Sequence, residues 1–252
     1  MSDFRRKGSY GIDAPYVPAL MIAGLVICLG LILFARMTQL WLTVVILLLV
    51  TGAYLHATLR GKFQVWRTLF DGMAWRGNER ILDLGCGRGA VLLMAAEYVP
   101  QGQAAGVDIW SSKDQSGNAM ATARQNAGAE GVADRVTLHT ADMRQLPFES
   151  DSFDVIVSSV AIHNISTRAG RDQAIDEAWR VLRPNGCLLI ADISRSRQYL
   201  RRLAELGATV TRRHLGWRMW WGGPWTPTML IEARKPMASD APGCSPELSA
   251  RA

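Results

Sequence analysis

Three carboxylates close successive short apolar runs: Asp83 in Ile81-Leu82-Asp83-Leu84, Asp108 in Gly106-Val107-Asp108, and Asp142 in Thr140-Ala141-Asp142-Met143. The first run passes directly into Gly85-Cys86-Gly87-Arg88-Gly89, a turn whose missing Cβ atoms let a ligand approach the backbone. That spacing alone also fits a dinucleotide site, with Ala90 as the last small residue. Asp83 separates the two readings, because a carboxylate beside the turn repels a pyrophosphate but favours a nucleoside that carries an ammonium and a sulfonium. Asp108, with Ile109 beside it, is placed to accept hydrogen bonds from ribose hydroxyls. Asp142 is placed to take an adenine amino group, with Met143 against the ring. The candidate ligand contacts are therefore Asp83, Gly85, Cys86, Gly87, Gly89, Asp108, Ile109, Asp142, Met143 and Ser158. Any one of these acids could be an ordinary turn or cap residue; the specific signal is three at neighbouring strand ends. Asp154 is left out because it begins its strand and so falls at the opposite sheet edge.

Such side chains need a sheet to align them. From Gly77 onward short apolar runs alternate with longer helical segments, the pattern of a parallel sheet with crossover helices. Strands are expected at Arg80–Leu84, Ala104–Ile109, Val136–Thr140, Phe153–Ser158, Cys187–Ile193, Thr209–Gly216 and Met229–Arg234. Helices are expected at Ala90–Tyr98, Gln115–Ala127, Arg171–Leu182 and Arg197–Leu206. The last two strands have no helix between them and should form an antiparallel edge. The fold class is α/β: a Rossmann-like, seven-stranded sheet with helices on both faces and ligands at the carboxyl ends of its strands.

Before this domain lie two apolar stretches, Val17 to Ala35 without a charge and Leu40 to Leu59 with only Tyr54 and His56 polar near its far end. A bilayer core of about 30 Å needs roughly 20 helical residues, so each is long enough to span. The link Arg36-Met37-Thr38-Gln39 allows only a tight return. Arg5, Arg6 and Lys7 precede the pair and Arg60, Lys62 and Arg67 follow it, against one Arg in the turn, which places both ends and the catalytic domain on the cytoplasmic side of an inner or equivalent membrane. A cleaved signal peptide fits less well, since a second span follows at once. The expected organisation is residues 1–16 as a cytoplasmic segment, 17–59 as a transmembrane hairpin, 60–76 as a connecting helix, 77–235 as the domain and 236–252 as a disordered tail. Cys28, Cys86, Cys187 and Cys244 have neither metal-ligand nor disulfide spacing and suggest a reducing compartment. The net charge of +6 is carried partly by the hairpin flanks and partly by a late Arg-rich stretch, favouring anionic lipid over nucleic acid as its partner.

The stretch Arg80 to Ile193 resembles the class I S-adenosylmethionine-dependent methyltransferases, nearest to the ubiquinone/menaquinone-type group that acts on small molecules. The motifs that carry the resemblance are Leu82-Asp83-Leu84-Gly85-Cys86-Gly87-Arg88-Gly89, Gly106-Val107-Asp108, Ala141-Asp142-Met143-Arg144-Gln145-Leu146-Pro147-Phe148, Phe153-Asp154-Val155-Ile156 and Glu177-Ala178-Trp179-Arg180-Val181-Leu182-Arg183-Pro184-Asn185-Gly186. The resemblance implies S-adenosyl-L-methionine as cofactor, with Gly85, Gly87 and Gly89 forming its loop, Asp83 supporting the methionine end, Asp108 holding ribose and Asp142 meeting adenine. The hairpin is no part of that common domain, and the segment from Asp108 to Asp114 is longer and more polar than usual.

Methyl transfer needs chiefly alignment, and a base only when the acceptor carries a proton. His163, after the fourth strand, and Asp192, ending the fifth, are the two candidates, each equally readable as a packing or loop-anchoring residue. Trp217, Trp220, Trp221 and Trp225 crowd the connection between the last two strands, beside Arg212, Arg213 and Arg218. If the sixth strand runs parallel to the others, this cluster borders the site's mouth, where indoles and arginines suit a membrane interface. Packing as ordinary core is the competing reading. The expected acceptor is small and lipophilic: a quinone, an isoprenoid, a lipid head group or a thiol. A protein methyltransferase acting on a membrane partner and a non-catalytic S-adenosylmethionine-binding protein are the alternatives.

Overall fold

A computed structural model describes residues 6–237; the greater part of the expected tail lies outside the described residues. Helices α1 (Tyr16–Ala35) and α2 (Trp41–His56) pack as an antiparallel pair, and Arg36 turns the chain between them in a left-handed conformation. Helix α2 does not stop at its apolar end. It continues through one π-helical turn, Ala57–Gly61, into α3 (Lys62–Asp71), so that Thr38–Asp71 forms one 34-residue helical run. Both α1 and this run are long and apolar enough to cross a membrane. In α1 only Pro18 and Ile32 are buried, and Phe34 is 90% exposed.

The strands are β1 (Arg80–Leu84), β2 (Gln103–Asp108), β3 (Val136–Thr140), β4 (Phe153–Ser159), β5 (Leu182–Asp192), β6 (Thr209–His214) and β7 (Met229–Arg234). They form one sheet in the order β3-β2-β1-β4-β5-β7-β6. Only β7 is antiparallel: it inserts between β5 and β6, so β6 runs parallel to β1–β5. The interior strands are apolar on both faces, as a sheet covered on both sides requires. Ile81, Val155 and Leu189 face one layer, built from α3, α4 (Ala90–Glu97) and α5 (Met120–Glu130). Leu82, Ile156 and Leu188 face the other, built from α6 (Arg168–Val181) and α7 (Ser196–Glu205).

Three expectations are corrected. The helix expected from Gln115 begins only at Met120, because residues 109–119 stay irregular: Gln115 holds the Arg88 amide and Asn118 the Asp108 carboxylate. Strand β6 ends at His214, since Gly216 (φ +81°) turns the chain away. Helix α6 starts three residues earlier than expected, where the Thr167 hydroxyl accepts from the Gly170 amide and caps it. Helix α3, expected as a connector, buries Phe63, Trp66 and Phe70 in the core of the domain.

The residues before α1 form a strap against the domain. Arg6 pairs with Glu97 and Glu130, Ser9 exchanges hydrogen bonds with Asn126, and the Tyr10 hydroxyl donates to Glu130. Arg6, counted from sequence as part of a lipid-facing basic flank, is thus held in ion pairs, and Arg67 pairs with Glu97 from the other side.

Candidate functional site

Strand order reverses between β1 and β4, and the carboxyl ends there open into a cavity of about 510 Å³. Eight of the ten candidate ligand contacts line it: Asp83, Gly85, Cys86, Gly87, Asp108, Ile109, Asp142 and Met143. Gly89 and Ser158 do not. Gly89 begins α4 in a left-handed conformation, and the buried Ser158 hydroxyl donates to the Leu84 carbonyl, tying β4 to β1. Its neighbour Ser159 takes the wall position and accepts from the Trp66 indole.

The glycine turn is shaped for a ligand other than phosphate. Every amide from residue 85 to 89 already has a protein acceptor: Gly85 and Cys86 donate to Val107, Gly87 to Asp108 Oδ2 at 2.8 Å, Arg88 to Gln115 Oε1 at 2.8 Å, and Gly89 to Cys86. A phosphate-binding loop turns such amides toward its ligand. Glycine is required here for space, since a Cβ on Gly85 (φ +73°) would stand 2.3 Å from that of Ala161.

Asp83 supplies the charge logic. It is 1% exposed, and its Oδ1 has no hydrogen-bond partner among the described residues. Burial pushes its carboxyl up to about 8, with the Leu92 amide opposing and the Asp108 charge adding to the rise. An unpartnered buried acid beside an open cavity fits a cationic ligand group. Burial, followed by the charges of Asp83 and Asp108, also pushes the Cys86 thiol up. Asp108 organises the loop: Oδ2 accepts from Gly87, and Oδ1 from the Trp110 amide at 2.6 Å and Asn118 at 3.2 Å. Among the described residues Oδ2 takes this one donor, which leaves it able to accept another. The Asp142 side chain is 41% exposed and gripped by Arg144, which holds its carboxyl below the usual range. Its two oxygens take four contacts from Arg144, so an adenine amino group would displace one of them.

His163 and Asp192 come together, with Nδ1 2.6 Å from Oδ1, but neither lines the cavity. Asp192 is fully buried and also accepts from the Tyr199 hydroxyl and the Ile193 amide. Because β6 is parallel to the other strands, the β6–β7 connection emerges at the cavity edge, and Trp221 is a wall residue; Trp217 and Trp225 are exposed. Sequence reasoning missed Asp13, Tyr16, Lys62, Gln115 and Asn164, all of which line the cavity. The first three come from the strap and the hairpin, and no local motif marks them.

Sheet order, switch-point cavity and buried acid together define a Rossmann-like domain with a ligand site at the carboxyl ends of its strands. Residues 81–186 match the family model described as a methyltransferase domain. A ubiquinone/menaquinone biosynthesis C-methyltransferase from Dinoroseobacter shibae is 33% identical over 135 residues, 53% of this chain and 50% of that protein. The chain thus spans about half the length of the relatives it matches. Among solved structures, the [4+2]-cyclase SpnF aligns with a TM-score of 0.57 at 20% identity, covering 69% of this chain and 82% of that one. The geranyl diphosphate C-methyltransferase of Streptomyces coelicolor, solved with Mg2+, geranyl diphosphate and S-adenosyl-L-homocysteine, aligns at 0.55 and 16%, covering 69% and 79%. These two likenesses show the fold, and a cyclase among them shows that the fold alone does not name a reaction.

Proposed function

We propose that the chain is a two-pass membrane enzyme that moves a methyl group from S-adenosylmethionine to a small lipophilic acceptor, a quinone, isoprenoid, lipid head group or thiol. The observation that carries this reading is a single cavity with the acidic strand tips on one wall and, on another, Tyr16, the first residue of a helix whose apolar side chains face outward. Soluble surfaces rarely expose apolar area on that scale, whereas a bilayer buries it. Exposed Arg60 at the hairpin base suits a cytoplasmic orientation. The relatives' names, a quinone C-methyltransferase and a geranyl diphosphate C-methyltransferase, agree with a lipophilic acceptor.

When bound, the cofactor supplies a methyl group already activated by its sulfonium. The chain's part is to hold that charge beside Asp83, fix the ribose at Asp108, leave room at Gly85 and exclude water with Val160, Ala161 and Trp221. His163 faces Asp192 behind the wall formed by Ala161 and Asn164, and we read the pair as a brace for that turn. His163→Ala is then expected to lower the melting temperature while leaving the pH–rate profile unchanged; loss of one limb of the profile would make His163 the base instead.

Membranes containing the protein, incubated with methyl-labelled donor, are expected to yield label in the organic extract. Label in a protein band would favour a protein acceptor. Donor binding with no release of demethylated cofactor would mark a non-catalytic binder.

A further inference from the structure

Lys62 stands where the hairpin meets the cavity. It follows the π-helical turn, its side chain is only 6% exposed, and it lines the wall together with Asp13 and Tyr16. Its Nζ lies 2.6 Å from Asp13 Oδ2. That carboxylate is otherwise well supplied: Oδ2 also accepts from the Thr58 hydroxyl at 2.6 Å, and Oδ1 from Gln115 at 3.1 Å. The ammonium is less so: among the described residues one of its three donors has a hydrogen-bond acceptor, and Nζ otherwise lies 5.4 Å from the centre of the Phe63 ring. A buried cation with unused donors beside a cavity is an incomplete site, which an oxygen lone pair would complete. The other cations on the wall differ: Arg144 is committed to Asp142, and Lys113 is exposed.

The surroundings say how a ligand reaches it. Tyr54, Ala57, Met219 and Trp221 form one buried apolar cluster, with Val17 and Met21 of α1 packed against it. Hairpin base and β6–β7 connection are thus one unit, and Tyr16, 51% exposed, stands at its edge, where the apolar helix begins. We propose that this junction is the acceptor half of the cavity, that the acceptor enters from the bilayer between α1 and the β6–β7 connection, and that Lys62 positions it by binding a hydroxyl or anionic oxygen. A donor-only cation favours an anionic or hydroxyl oxygen and repels a protonated amine, so a lipid head group that carries an ammonium is disfavoured here. This rests on the methyl-transfer reading above.

The test uses the full chain in phosphatidylethanolamine–phosphatidylglycerol vesicles, with labelled S-adenosylmethionine and a prenylated 1,4-naphthoquinol as probe. Lys62→Met is expected to raise the KM for the quinol about tenfold or more while calorimetry shows donor affinity within about twofold of wild type. Lys62→Arg should recover most of that loss. The double variant Asp13→Asn/Lys62→Met, which leaves no half-buried carboxylate without its cation, should show the same KM as Lys62→Met. Thr58→Val loosens the same tie to Asp13 without touching the ammonium and should leave KM unchanged. An unchanged KM in Lys62→Met, an equal shift in Thr58→Val, or label on phosphatidylethanolamine would each overturn the inference. If wild type methylates the quinol and Lys62→Met matches it, this inference alone falls; if wild type labels no bilayer component, the methyl-transfer reading falls with it.

Discussion

Asp83→Asn is expected to lose about a hundredfold in affinity for S-adenosylmethionine, the size of effect that follows when one buried charge-assisted partner is removed. The wild-type affinity should also depend on pH in a particular direction. In the free protein burial holds the Asp83 carboxyl up to about 8, so at pH 6–7 the group is largely neutral. A cationic ligand favours the ionised form and releases that proton on binding. Affinity should therefore climb as pH rises, by up to about tenfold per unit, and level off above pH 8. The ligand's own amine titrates in the same range, but equally for both proteins, so the difference between wild type and Asp83→Asn isolates the side chain. Stability of the free protein follows the complementary sign. A carboxyl whose folded-state pKa is raised stabilises the fold fully below about pH 4, and that contribution is lost as pH approaches 8. The melting temperature of wild type should fall across that window, and Asp83→Asn should flatten the fall. Parallel pH curves for the two proteins, in calorimetry and in melting, would remove Asp83 from the cationic end of the site.

Asp83, Asp108 and Asp142 could be placed at strand ends from the sequence because each lies within or just after a short run that forms β1, β2 or β3. Short-range chemistry of that kind leaves a local signature. The orientation of β6 was stated only as a condition, although α7 precedes it as a crossover from β5; β7 is the strand that no such helix precedes. The parallel course of β6 follows from β7 inserting beside β5. Lys62 looked like one more basic flank residue. What turns it into a cavity wall is a π-helical turn that carries α2 unbroken into the domain, together with a strap that brings Asp13 back from 49 residues away. Gln115 was placed in a helix by periodicity, yet its side chain holds the Arg88 amide, the Tyr10 carbonyl and Asp13. Polar side chains that satisfy distant backbone have no period to betray them.

Gly61→Ala should separate the two halves of the cavity. Gly61 ends the π-helical turn with ordinary helical backbone angles, so conformational freedom is not the reason for a glycine there. The reason is contact: a Cβ would lie 1.7 Å from the Arg218 carbonyl oxygen, against the backbone of the β6–β7 connection. Neither side is a flexible side chain, so helix and connection must part, and overpacking of this kind typically costs about 1–3 kcal/mol. The connection carries Trp221, while Asp83 and Gly85 belong to β1 and its turn. Donor affinity should therefore survive, while melting temperature drops and turnover of a bilayer-dissolved acceptor falls by an order of magnitude or more, about what 1.4 kcal/mol of lost positioning produces. Gly30→Ala and Gly52→Ala make the contrast, since a Cβ at either position meets nothing within 4 Å. Helix propensity then dominates, and each should be neutral or raise stability by up to about 1 kcal/mol. Should Gly61→Ala behave like those two in melting and turnover, the hairpin is an anchor beside the site and no part of its wall.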